Sequence, residues 1–128
     1  MKRQSVTSGA PWESKVGYCR AVRKGPFIEV AGTTAMKEGK LVGVGDPYLQ
    51  MTTIIEIMKK AIEELGGKLE DVVRTRIFVT NIEDFERIGQ AHGVYFSDIK
   101  PASTLVEVSA LVDPDMLVEV EMTAIIGE

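Results

Sequence analysis

At 128 residues the chain has the length of one domain, residues 1–128, and is long enough to bury a real core. Its net charge of −4 makes nucleic acid an improbable partner. A single cysteine, Cys19, excludes an internal disulfide and points to a reducing, cytoplasmic setting, and no apolar run approaches the roughly 20 residues of a membrane-spanning helix.

In chain order, Met1-Lys2-Arg3-Gln4-Ser5 has no apolar stretch behind its positive charges and so does not read as a signal peptide. Residues 2–7 suit a short edge strand, broken by Ser8-Gly9-Ala10-Pro11. Trp12-Glu13-Ser14-Lys15 reads as a polar, turn-like segment in which Trp12 is either a packing lid or a ligand contact. Residues 16–22 alternate as a strand, with Tyr18, Arg20 and Val22 on one face. After the turn Lys24-Gly25-Pro26, residues 27–31 return as the second strand of a hairpin.

Residues 33–45 are rich in Gly and Lys and read as a long loop. Asp46-Pro47 then starts a helix, Asp accepting a bond from a free backbone N–H and Pro fitting the first helical position. Met51, Ile54, Ile55, Met58, Ile62 and Leu65 recur at spacings of three and four, an amphipathic pattern that Gly66-Gly67 ends. Residues 72–80 form a β-rich strand. Asn81 caps a second helix over 82–97 whose inner face is Phe85, Ile88, Ala91, His92, Tyr95 and Phe96. Beyond Pro101, two alternating runs flank the turn Asp113-Pro114-Asp115 and predict a hairpin with carboxylates along one side. The order is β-β-α-β-α-β-β with an extra N-terminal edge strand. Two helices on one face of a mixed sheet make a two-layer α+β domain.

Pro101-Ala102, Val106-Glu107-Val108, Leu111 and Glu119-Val120-Glu121 resemble the signature of the Rid family. This family covers YjgF-like reactive intermediate deaminases, also known as endoribonuclease L-PSP or translation initiation inhibitors. Tyr18 and Ala31-Gly32 stand where the family has a tyrosine and a small-residue pair. The resemblance implies a chorismate-mutase-like fold and a homotrimer with small-molecule clefts between subunits. It also implies hydrolysis of an amino-acid-derived imine or enamine to a keto acid and ammonia. In that chemistry a glutamate, matched by Glu119, positions water, a tyrosine, matched by Tyr18, orients the substrate, and an arginine clamps the substrate carboxylate. The arginine is missing: Ser103 stands in its place.

Serine has one hydroxyl, no charge and a shorter reach, so it cannot stand in for a guanidinium. Either the substrate carries no carboxylate there or another cation serves, Arg20 first, with Arg74 and Arg76 as alternatives. The expected site is Glu119 and Tyr18 as catalytic residues, with Arg20, Ser103, Thr104, Gly32 and Trp12 binding the substrate, an imine-like or carboxylate metabolite. No metal and no cofactor is expected. Cysteine–histidine spacing for a metal is lacking, and Gly43-Val44-Gly45 lacks the third glycine of a dinucleotide loop. His92, the one histidine, reads as structural. Two functions follow: a hydrolase of imines other than the usual amino-acid-derived ones, or a non-catalytic metabolite-binding or regulatory trimer. With neither an acid–base pair suited to RNA cleavage nor a basic stripe, the sequence argues against a ribonuclease or translation inhibitor.

Overall fold

A computed structural model describes residues 1–127. Among the described residues six strands form one sheet in the order β1-β2-β3-β8-β6-β7. They are β1 (Arg3–Val6), β2 (Ala21–Lys24), β3 (Phe27–Thr33), β6 (Val72–Val79), β7 (Ala102–Glu107) and β8 (Val118–Ile125). Helix α2 (Pro47–Glu64) follows β3, and α3 (Phe85–Phe96) links β6 to β7. Both belong to one layer over one face of the sheet, and the core lies between the layers. This is the predicted two-layer α+β architecture.

Strand β8 shows why the layers adhere. Val118, Val120, Met122 and Ala124 are buried, while Glu119, Glu121 and Thr123 between them are only partly so. Successive side chains point to opposite faces, so period two places all four apolar groups on the helix side. Helix α2 answers with Met51, Ile54, Ile55, Met58 and Ile62, all fully buried. Burying a side chain of this size contributes roughly 1.5–3 kcal/mol. The Asp46 side chain accepts from Leu49 N at 3.0 Å and caps the helix as its sequence suggests. Gln50 is buried among these groups. Its amide donates to the Gly43 and Asp115 carbonyls and accepts from Leu117 N, tying two loops to the helix.

Several local expectations are corrected. Strands β7 and β8 do not form a hairpin. Strand β7 pairs in parallel with β6, and β8 runs antiparallel between β3 and β6. The unit β6-α3-β7 is a crossover, which makes its strands parallel, and the long 108–117 connection lets the chain return to the middle of the sheet. The segment around Trp12 is not a turn but a short helix, α1 (Pro11–Val16), with Pro at its start and Gly17 in the left-handed conformation (φ 94°) after it. The first hairpin strand begins at Ala21 rather than 16, so Tyr18 and Arg20 precede it. Residues 33–45 contain a small ribbon, β4 (Met36–Lys37) with β5 (Lys40–Leu41). The second helix opens with a 3-10 turn at Ile82–Asp84, and Phe85 is 52% exposed rather than on its inner face.

Candidate functional site

The face of the sheet away from the helices carries Glu119 and Glu121 from β8, opposite Phe78 and Arg76 of β6. Beside β8, strand β3 takes three steps from Val30 to Thr33 while its partner takes two, from Met122 to Val120. The extra residue is a bulge, and bulges re-aim side chains near sites. Gly32 sits in it. A Cβ on Gly32 would overlap Oε2 of Glu119 and lie 3.2 Å from its Cδ. The missing side chain is therefore the space that the Glu119 carboxyl occupies.

Glu119 is half-buried, and burial pushes its carboxyl above the ordinary carboxylate range. The positive charge of Arg20 opposes that rise and the negative charge of Glu121 adds to it. Arg20 itself is held from two sides. One guanidinium nitrogen donates to the Gly32 carbonyl at 2.6 Å, and another lies 3.8 Å from Oε2 of Glu13. Glu13 is 4% exposed; its carboxylate also accepts from the Ser8 backbone N–H at 3.1 Å and from the Ser8 hydroxyl. The guanidinium carbon stands 5.7 Å from the centre of the Tyr18 ring, within cation–π range. A chain of contacts thus runs from Ser8 and Glu13 through Arg20 to Gly32 and Glu119. Next to it, an open groove of ≈ 650 Å³ is lined by Tyr18, Cys19, Glu29, Arg76 and Glu121 among others.

Of the residues expected from sequence, Glu119, Gly32, Arg20 and Tyr18 come together. The remaining three lie elsewhere. Trp12 is 56% exposed on α1, its ring facing Lys15 Nζ at 5.7 Å. Thr104 pairs with Arg76, which shares the Glu119 face but places it two strands away. Ser103 pairs with Thr75, whose side chain is on the helix side, so Ser103 faces away from Glu119 within one chain. Arg20 spends its charge on Glu13 and a carbonyl, which is a different task from clamping a ligand carboxylate. Glu13 was missed by sequence reasoning; the only available signal was Pro11 and Gly17 bracketing a one-and-a-half-turn helix. Among the described residues no group of three or more His, Cys, Asp or Glu could hold a metal ion.

The family model for endoribonuclease L-PSP matches residues 8–126, nearly the whole chain. The chain belongs to this family. An uncharacterized protein of Streptomyces coelicolor is 41% identical over 122 residues, covering 95% of this chain and 91% of its own. A RutC family protein of Pyrococcus abyssi is 37% identical over 109 residues, 84% of each chain. Among solved structures, Rv2704 of Mycobacterium tuberculosis, described as a member of the YjgF/YER057c/UK114 family, superposes with a TM-score of 0.89. It is 41% identical, and the match covers 98% of this chain and all of that one. This Rid/YjgF member has no helix among its described residues that is long and apolar enough to cross a membrane.

Proposed function

We propose that the protein hydrolyses a reactive imine or enamine that lacks the carboxylate of amino-acid derivatives, in clefts between the subunits of a homotrimer. The observation that carries this reading is the Glu119 carboxyl, seated in the Gly32 gap with its proton affinity raised by burial. A carboxylate of raised basicity takes a proton from water more readily than an exposed one and can return it to a departing amine. Water adds to the C=N carbon as Glu119 accepts its proton. Glu119 returns that proton to nitrogen, giving the carbinolamine. As its C–N bond breaks and the C=O forms, the hydroxyl proton passes to nitrogen and ammonia leaves. An enamine enters the same path by first taking a proton at carbon to become the imine. Tyr18, against Arg20 and lining the groove, orients the substrate.

The trimer supplies what one chain lacks. The outer edge of β7 is unpaired among the described residues, and Val106 on it is 42% exposed. An open edge with exposed apolar groups favours cover by a second copy. In the proposed trimer the cleft forms at this edge, on the strand that carries Ser103. Light scattering should give about 42 kDa, three chains of 14.0 kDa; a stable monomer removes the cleft. The functional test is carbonyl release from imines generated in place by a coupled oxidase. Wild type should exceed the spontaneous rate and Glu119→Gln should not. Equal rates with and without wild-type protein would favour the second reading, a metabolite-binding trimer, for which Ser103 in place of a cation is the supporting observation.

A further inference from the structure

Three polar side chains from three elements join in a line on the helix side of the sheet. Thr75 of β6 is 0% exposed, and its Oγ1 donates to Ser103 Oγ on β7 at 2.8 Å. The same Oγ1 lies 3.0 Å from Nε2 of His92 on α3. A hydroxyl carries one proton. In the arrangement in which Thr75 gives its proton to Ser103, it accepts from His92, and the histidine proton belongs on Nε2. The His92 ring packs on Phe96 with centroids 4.6 Å apart, and burial lowers its pKa, which keeps it neutral. The Ser103 proton is then the one left over, and Ser103 is exposed at the outer end. The line in that arrangement runs from His92 to Thr75 to Ser103, each donating to the next.

We infer that His92 and Thr75 are positioning residues that turn the Ser103 hydroxyl outward as a hydrogen-bond donor, and that the substrate meets it with an uncharged acceptor such as an amide or carbonyl oxygen. All three groups are neutral. The two arginines of β6 are turned away, since Arg74 pairs with Ala102 and Arg76 with Thr104, on the opposite face from Ser103. An anion brought here would lose its hydration for one neutral donor, whereas an amide oxygen needs little more than that. The inference rests on the reading of the cleft as an imine-hydrolysing site and names the substrate class of that site.

The test compares imines formed in place from an amino amide and from the matching amino acid. Wild type should prefer the amide imine. Ser103→Ala and Thr75→Val should each lower kcat/KM for it by roughly fivefold, the size of one neutral hydrogen bond, and act mainly through KM. Thr75→Ser, which keeps the hydroxyl, should restore the value. A second readout needs no turnover. His92 is the sole histidine, so ¹⁵N spectra of histidine-labelled protein report its tautomer without overlap. The expected form is protonated on Nε2, with that signal shifting in Thr75→Val. Turnover that requires Glu119 but is indifferent to Ser103→Ala, or that prefers the acid imine, overturns this inference alone. So does a histidine protonated on Nδ1. Turnover of neither imine overturns the hydrolase reading and the substrate class together.

Discussion

Gly32→Ala tests the geometry of the site with a single methyl group. The backbone of Gly32 is not in the left-handed region, so alanine meets no conformational penalty there. What it meets is Glu119: the new Cβ would overlap Oε2 and sit 3.2 Å from Cδ. Relief requires the carboxyl to swing by about 1 Å or more, and an off-rotamer side chain costs roughly 0.5–1.5 kcal/mol. The swing carries the group toward water and recovers part of its desolvation cost, so the net loss of stability should be about 1 kcal/mol or less, a few degrees in Tm. A displacement of that size at a reacting group can cost about 100-fold in rate. The expected result is a folded protein, melting within about 5 °C of wild type, whose imine hydrolysis has fallen by one to two orders of magnitude. Thermal melts followed by circular dichroism and the coupled imine assay measure the two sides. Full activity in a folded Gly32→Ala protein would refute the argument, because the carboxyl would then be free to work from another position.

Other outcomes follow from the same contacts. Glu119 has a folded-state pKa above its unfolded one, so the folded protein holds a proton that the unfolded chain has released; stability is greatest below the unfolded value and falls as pH rises through the window between the two. Glu119→Gln should therefore resist urea at least as well as wild type at pH 7, with the advantage gone below about pH 4, and a variant weaker at pH 7 would contradict the assigned cause. Glu13→Ala strands the Ser8 N–H and removes a partner of Arg20, and should cost about 1–3 kcal/mol in chemical denaturation. Gln50→Met fits the volume but leaves Leu117 N and two carbonyls without their partner, a loss of roughly 2–4 kcal/mol that should also raise amide exchange around residue 117.

The helices were legible because their signal is local. Met51 to Ile62 repeats at helical spacing, and every predicted core position on α2 is buried. Strand existence was legible for the same reason, through alternation in 103–108 and 118–122. Strand partners were not. An Asp-Pro-Asp turn between two alternating runs suggests a hairpin, yet the partner of each run lies more than 20 residues away in sequence, at Arg74–Val79 for β7 and at both β3 and β6 for β8. Within the site, Glu119 and Tyr18 could be named from a resemblance. Their supports could not: the bulge that brings Gly32 under Glu119 depends on a register shift, and Glu13 comes from a helix too short to show a period. Ser103 stood out as a substitution, but its line to Thr75 and His92 exists only once α3 lies over β6.

Strand β8 comes after every other element in the chain and lies in the interior of the sheet. During synthesis the ribosome therefore delivers two separate halves, β1-β2-β3 and β6-β7, each with a naked edge where β8 belongs. Neither half can close its side of the core until Val118, Val120, Met122 and Ala124 emerge. The nascent chain must wait with unpaired strands and an uncovered α2, the kind of species that self-associates. The same placement makes the domain all-or-none. A chain that lacks β8 should yield no smaller stable sheet, and the interval between translating β6 and β8 is when this protein would most depend on chaperones.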